Sequence, residues 1–379
     1  MDLLDVSLRG QNPPDTSRPI AGLHSSTKRS MAINALLRKH GQRSPIVVGE
    51  RALFLHRGSV KSKVYVAGDF NGWDAQSDPM LELHGTDVHW LELEFPLDAR
   101  IEYKFVRDGM WSLDPMNPDS VCGKFGCNSV LAMPRYTEPA QMYDVSAERS
   151  ETHELSLRSK VLGSTWNVRV RLPRVPGDLP LLLVLDGSDY LEYGKIDSLI
   201  GGCVRSGAVK PFSYALVDLS ERHLGQELPR SCCQALAEEL VPFIESRVGL
   251  TLDAGETCVL GVSHAGLVGF LTALTYPGVV GKAAAQSGYF SGRGYEAVID
   301  SLTKLHGHPG LYLDYGSFET NTRGQGNIVH ASKEIAAALR SRGCEVKAVQ
   351  TNEGHNWTAW RKRLPMALEF LIGASRAQR

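Results

Sequence analysis

The sequence predicts an α/β domain built on a mostly parallel sheet, preceded by an antiparallel β-sandwich. Three observations carry that reading. From about residue 155, continuous apolar runs recur ("PLLLVLDG", "FSYALVDL", "ETCVLGVS"), as strands buried on both faces of a parallel sheet should. Helical patterns such as "SCCQALAEELVPFIESRVG" and "HASKEIAAALRSRG" lie between these strands, the alternation of a doubly wound sheet. Before residue 135, short runs with period-two alternation are separated by turn signals, as in antiparallel pairs.

The elements follow in order. Residues 1–43 are rich in Ser, Pro and Arg and read as a leader, loosely ordered or packed on a domain, with a short helix in "NALLRKHG". Residues 44–135 contain "KVYVAGDF", "VHWLELEF", "IEYKFVRDG" and "NSVLAM", divided at Asn71-Gly72, His84-Gly85 and Asp108-Gly109. Turns at that spacing predict an immunoglobulin-like sandwich. Residues 136–154 read as a linker or a first edge strand, and residues 155–379 as the α/β domain. The strand "STWNVRVRLP" opens that domain, "LYLDYGS" and "EVKAVQTNEGH" are its last strands, and "PMALEFLIGAS" is its final helix.

Composition bounds the function. With 379 residues, two domains are the default expectation. A net charge of −1 gives no bulk electrostatic case for nucleic acid or an anionic membrane. No apolar run approaches the roughly 18 residues of a membrane span, and "MDLLDVSLRG" is a poor signal peptide. Seven cysteines, two of them adjacent (Cys232 and Cys233) and none in a CxxC pair, fit reduced thiols in a cytoplasm. A local Cys122–Cys127 pair is therefore not expected. No His, Cys and carboxylate spacing suggests zinc, and no cofactor is called for.

Chemistry enters at "CVLGVSHAGLVGF". A strand, a corner from Gly261 to Gly266 and a helix place Ser263 where a nucleophile elbow requires its serine. Small neighbours let strand and helix approach closely, and the helix N-terminus favours negative charge beside the hydroxyl. Alanine at 265 departs from strict G-x-S-x-G. Such a serine needs a base and a stabilised oxyanion. His264 adjoins the serine, so its side chain should diverge at the sharp turn; its backbone N–H is the useful group. Of the histidines farther on, His306, His308, His330 and His355, only His355 follows the last strand at its carboxyl end. The acid should follow "LYLDYG": Glu319, just past the strand end, is better placed than Asp314 inside it, and Glu353 is a third candidate. The loop after "LLLVLDG" offers Gly187 and Ser188 for a second N–H donor.

The "LLDG"-type loop, the G-x-S-x-small-G corner, "LYLDYGSFE" and above all "EGHNWTAWRKRLP" resemble the enterochelin esterases and the wider esterase-D-like and feruloyl-esterase-like hydrolases, over roughly residues 155–375. The most specific piece is Gly354-His355-Asn356 with Trp360 and Arg361, with Asn356 where the family often has Asp. The resemblance implies an α/β-hydrolase fold, Ser263 as nucleophile, His355 as base, an acid matching Glu319, and Ser188 and His264 as oxyanion N–H donors. Gly187, Trp357 and Arg361 are the expected substrate contacts. Arg361, Lys362 and Arg363 read as a solvated basic face which, near the site, suits an anionic ester.

The first domain has its own resemblance. "VYVAGDFNGWD", "YKFVRDGMWSLDPMNP" and "GKFGCNSV" look like the glycogen-binding module of AMP-activated kinase and isoamylase-type N-terminal domains. That resemblance puts Trp73, Lys104, Trp111 and Asn128 on positions that bind α-glucan there. Three readings result: an enterochelin esterase-like serine hydrolase of a small-molecule ester, an esterase of feruloyl or acetyl sugars, or a glucan-binding scaffold whose hydrolase domain is inert. Ser263→Ala is expected to abolish hydrolysis of p-nitrophenyl acetate while leaving the circular dichroism spectrum intact; full activity in that variant would remove Ser263 from the chemistry.

Overall fold

The structure is a computed structural model and describes residues 23, 25–59, 62–143, 150–177, 179–219, 230–322 and 326–373. Most of the expected leader, residues 1–22 and 24, lies outside the described residues, as does 144–149 of the expected linker. By its internal contacts the chain forms two units: Met1–Thr137 with Asn352–Gly354, and Glu138–Thr351 with His355–Arg379.

The first unit opens with helix α1 (Ser26–Lys39), longer than the expected "NALLRKHG". Its Ile33, Leu36 and Leu37 join Leu53, Leu55 and Val88 in one buried cluster, and that packing supports the extra turns. Among the described residues nine strands follow: β1 (Ile46–Val48), β2 (Arg51–Arg57), β3 (Val64–Gly68), β4 (Leu81–Glu82), β5 (Val88–Glu94), β6 (Arg100–Arg107), β7 (Met110–Ser112), β8 (Ser120–Gly123) and β9 (Gly126–Ala132). They form two antiparallel sheets, β1-β2-β5-β4 and β3-β6-β9-β8, the second with β7 beside β6. Phe54 on the first sheet meets Tyr103 on the second edge to face, ring centroids 5.0 Å apart, which makes the pair of sheets a sandwich.

The structure corrects one expectation here. Cys122 and Cys127 form a disulfide, Cα to Cα 3.9 Å. The β8–β9 hairpin sets them directly opposite each other in register, so the short spacing brings the thiols together. The five other described cysteines are free and buried.

In the second unit a 3-10 turn (Ala140–Tyr143) precedes β10 (Ser150–Arg158), so the edge strand starts inside the expected linker. It continues through β11 (Thr165–Pro173), β12 (Leu181–Leu185), α2 (Gly187–Glu192), α3 (Ile196–Arg205) and β13 (Ser213–Val217). Then come α4 (Arg230–Gln234), a π-helical stretch (Ala235–Leu240) and α5 (Val241–Val248). The remainder is β14 (Thr257–Val262), α6 (Ser263–Thr275), β15 (Lys282–Gln286), α7 (Arg293–Thr303), β16 (Gly310–Gly316), α8 (Ile328–Ser341), β17 (Glu345–Thr351) and α9 (Trp357–Ile372).

The eight strands run in the order β10-β11-β13-β12-β14-β15-β16-β17, parallel from β13 to β17. Alternate residues of β12 enter two cores: Leu183 packs with Val259, Phe270 and Leu313, whereas Leu182 and Val184 pack with Leu260, Tyr312 and Leu364. Helices therefore cover both faces, and the strands read as unbroken apolar runs. This is the α/β-hydrolase architecture expected. Strand order reverses at β12, which has β13 on one side and β14 on the other, so the carboxyl ends of β12 and β14 flank a topological switch. Helix α9 begins well before the expected "PMALEFLIGAS" and passes through Pro365, because Asn356 caps it by accepting from the Ala359 N–H at 3.0 Å.

A testable feature of the sandwich is His56 on β2 opposite His89 on β5. Both are buried, with rings 6.3 Å apart and Phe105 against His56. Neither nitrogen of His56 has a hydrogen-bond partner among the described residues. Burial first, then His89 and Arg107, hold His56 below the ordinary histidine value. A depressed folded pKa gives stability that is full above the unfolded value and is lost as pH falls. The unfolding midpoint should therefore drop between about pH 7 and pH 5, and less steeply in His56→Phe. Equal slopes for the two proteins would contradict this.

Candidate active site

Three adjacent parallel strands end in a left-handed corner at a residue that is not glycine: Asp186 after β12 (φ 56°), Ser263 after β14 (φ 48°) and Ser287 after β15 (φ 48°). Such backbone costs about 1–3 kcal/mol per residue and gathers at functional sites. At Ser263 the reason for the flanking glycines is steric. A Cβ on Gly261 would lie 2.5 Å from the Ala265 carbonyl carbon, and one on Gly266 would lie 3.0 Å from Ala285 Cβ. The alanine that departs from strict G-x-S-x-G is itself fully buried, and the close approach to β15 falls to Gly266 instead. Helix α6 starts at Ser263, which directs its N-terminal N–H groups toward the corner.

The imidazole of His264 stacks on Tyr289, ring centroids 4.3 Å apart, and the Tyr289 N–H donates to the Ser263 carbonyl at 2.9 Å. Burial first, then the nearby charge of His355, lowers the His264 pKa. His355 Nδ1 faces Glu319 Oε1 at 3.7 Å, longer than a hydrogen bond. Both Nδ1 and Glu319 Oε2 are buried without a hydrogen bond among the described residues, geometry that often tightens only once substrate is bound.

Of the acid candidates, the structure brings Glu319 to the histidine. It is fully buried, yet its carboxyl lies below the ordinary glutamate value. Burial raises it; the His355 imidazole, the Arg363 cation and the Ser287 hydroxyl outweigh that effect. Asp314 sits inside β16 and is pushed up to about 6, by burial first, with Arg363 and Gln286 pulling the other way. It accepts from Gln286 Nε2 at 3.2 Å and faces Arg363 Nε at 3.1 Å.

The remaining expected residues divide. Trp357 lies in an aromatic ladder: it meets Tyr190 at 5.2 Å, Tyr193 at 6.0 Å and Trp360 at 5.0 Å, and Trp360 meets His355 at 4.9 Å. Arg361 keeps a buried Nε with no hydrogen bond among the described residues. The glycine at 187 is required by packing, since a Cβ there would lie 2.6 Å from Leu216 Cβ. The Ser188 N–H donates to Asp218 Oδ1 at 2.8 Å and its hydroxyl to Asp218 Oδ2 at 2.5 Å, so in this conformation a carboxylate holds that amide. Arg363 is the second correction. It belongs to no solvated face but is fully buried, bonded to Ser287 and Thr351 and set against Asp314.

On the sandwich, Trp73 and Trp111 lie 6.4 Å apart with planes 32° from parallel, and Trp111 pairs with Val106, two residues along β6 from Lys104. Asn128 donates to Glu102 Oε2 at 2.8 Å, and Glu102 pairs with buried Arg100. Trp73 Nε1 donates to Asp69.

Sequence reasoning missed Ser287, Arg363 and the structural part of Trp360. One signal was present: "KAAAQSG" repeats the strand, serine and small-residue grammar of the elbow.

The esterase family profile matches residues 159–371. The chain belongs to the esterase family. Apart from Asn352–Gly354, the match lies in the second unit, called the esterase unit below. Among curated relatives, the iron(III) enterobactin esterase of Dickeya dadantii is 23% identical over 221 residues, 55% of this chain and 51% of that protein. This chain thus spans about half the length of that relative. Protein YjcH of Bacillus subtilis is 24% identical over 60% of this chain and all of its own length. Among solved structures, ferric enterobactin esterase from Salmonella typhimurium superposes with a TM-score of 0.72 at 22% identity, covering 89% of this chain and 98% of that one. The Shigella flexneri enterobactin esterase, solved in the presence of enterobactin, gives 0.67 at 21% identity, with 85% and 92% covered. These structural likenesses establish the fold. Among the described residues, no helix is long and apolar enough to cross a membrane.

Gly261→Ala should push strand and helix apart at the elbow, lowering stability by roughly 1–3 kcal/mol in urea unfolding together with esterase activity. Gly278→Ala, where a Cβ meets nothing within 4 Å, is the control expected to change neither.

Proposed function

We propose that the chain is a serine carboxylic-ester hydrolase of the enterochelin esterase type. The observation that carries this reading is that the esterase unit holds both a left-handed serine corner at a strand-to-helix junction and a buried Glu319 whose Oε1 lies 3.7 Å from His355 Nδ1. Ser263 attacks the ester carbonyl while His355 takes its proton, and Glu319 orients the imidazole and stabilises the imidazolium. The His264 N–H and the Ser188 N–H hold the tetrahedral oxyanion; Ser188 serves once Asp218 releases it. Collapse expels the alcohol with the proton from His355. Water, deprotonated by His355, then cleaves the acyl-enzyme and frees the acid.

Relatives described as enterobactin esterases favour an aromatic siderophore ester as substrate. The Tyr190, Tyr193, Trp357 and Trp360 ladder supports flat aromatic groups there, and Arg361 an anionic one. A second reading, an esterase of feruloyl or acetyl sugars with a glucan-holding sandwich, is favoured by the Trp73–Trp111 pair near Lys104 and Asn128. The inert scaffold is the remaining alternative.

A fluorophosphonate probe should label Ser263, and ferric enterobactin should be turned over faster than feruloyl or acetylated sugars. The reverse order, with glycogen co-sedimentation lost in Trp73→Ala, would favour the sugar reading. Absence of labelling would leave only the inert scaffold.

A further inference from the structure

Behind the histidine lies a buried polar cluster that the proposed mechanism does not use. At its centre is Ser287, one residue beyond β15, with its own left-handed corner and no exposed surface. A serine hydroxyl has one proton to donate and two lone pairs to accept with. The Ser287 hydroxyl uses all three. It accepts from Trp360 Nε1 at 2.9 Å and from Arg363 Nη2 at 3.0 Å. Indole and guanidinium nitrogens can only donate, so both lone pairs are taken. The proton has one direction left, toward Glu319 Oε1, which it reaches at 2.6 Å. That short distance is the signature of a hydrogen bond to a charged acceptor.

The donors are fixed in turn. Arg363 is held by Thr351 Oγ1 at 3.2 Å and by Asp314, and Asp314 by Gln286. Gln286 also donates to the Trp360 carbonyl at 2.9 Å and accepts from the Tyr190 hydroxyl at 2.9 Å. Trp360 and Arg363 stand three residues apart, on one side of α9, as two donors to a single oxygen require.

We propose that Ser287 is a positioning residue for the Glu319–His355 pair, its only proton forced onto Glu319 Oε1 by the two donors Trp360 and Arg363. Rotation of the carboxylate away from His355 would cost that hydrogen bond, so the acid keeps the oxygen that faces the imidazole. Ser287 acts through Glu319 alone. The inference rests on the hydrolase reading proposed above.

The test is a double-mutant cycle on kcat with p-nitrophenyl acetate. Ser287→Ala should lower kcat roughly 10- to 100-fold, the loss of a hydrogen bond to a charged group, with KM changed less than about threefold. In a Glu319→Ala background, the same substitution should lower kcat by less than about threefold, because its acceptor is gone. Losses that multiply in the double variant would overturn the inference, since a general structural defect acts whichever residue stands at 319. Ser287→Gly is the second variant, because a φ of 48° suits glycine and the fold is kept if alanine there unfolds. Fluorophosphonate labelling of the wild-type protein keeps the two readings apart. Labelled protein with an additive cycle refutes only the part given to Ser287; unlabelled protein refutes the hydrolase reading and this inference with it.

Discussion

A charge kept where water cannot reach it is what the rest of the esterase unit is arranged around. Glu319 is fully buried, and a buried carboxylate ordinarily takes up a proton. In the proposed mechanism, a protonated acid would neither hold the imidazole of His355 in one tautomer nor stabilise the imidazolium. The unit meets this demand with Ser287, Arg363 and His355 itself, and their sum brings the carboxyl below its ordinary value. The neighbouring Asp314 is the counter-example. It too is buried against Arg363, yet burial prevails and pushes it up to about 6. Two carboxylates share one guanidinium, and the one with an imidazole beside it remains the better anion.

The three left-handed corners are the backbone's part in this arrangement. Parallel strands deliver their next residue to the same sheet edge, and a sharp turn there lifts a side chain clear of the helix that follows. In the proposed mechanism the turn at Ser263 presents the nucleophile's hydroxyl; at Ser287 the turn presents a hydroxyl to Glu319; at Asp186 it sets the loop that carries the Ser188 amide. Such corners are tolerated only where packing over-determines them. Here a Cβ on Gly261 would clash with Ala265 and one on Gly187 with Leu216, while one on Gly266 would press Ala285 at 3.0 Å.

Much of this was legible in the residues. Unbroken apolar strands gave the parallel sheet, period-two runs gave the two antiparallel sheets, and a serine between small residues gave the strand, corner and helix around Ser263. Glu319 could be preferred to Asp314 because it stands beyond the strand end, where a loop can turn the side chain toward its neighbour. What stayed hidden depends on three-dimensional register. Cys122 and Cys127 become partners only when β8 and β9 fold back on each other. Arg363 looks like one of three solvated cations in "RKR" until helix α9 is wound and every residue takes its angle, which turns Arg363 inward. Ser287 carries the same local grammar as the elbow but no motif, since its role is defined by two donors far along the chain.

Helix α9 shows why the C-terminal signature has to be compact. His355 just precedes it, Asn356 caps it, and Trp357, Trp360 and Arg363 follow on its first turns. The cap fixes where the helix begins, and so the angle at which each of these side chains leaves the axis. Asn and Asp are about equally good at that position, so the departure from the family's usual residue leaves the helix start intact. With the start fixed, Trp360 can place its ring edge against His355 and its indole N–H on Ser287, while Arg363 reaches the same oxygen one turn later. A slip of one residue in the cap would rotate both donors by about 100° about the axis and leave the Ser287 proton free to turn away from the acid. The orientation of the carboxylate is thus set by a side-chain amide at the mouth of a helix, through two rigid donors and one hydroxyl.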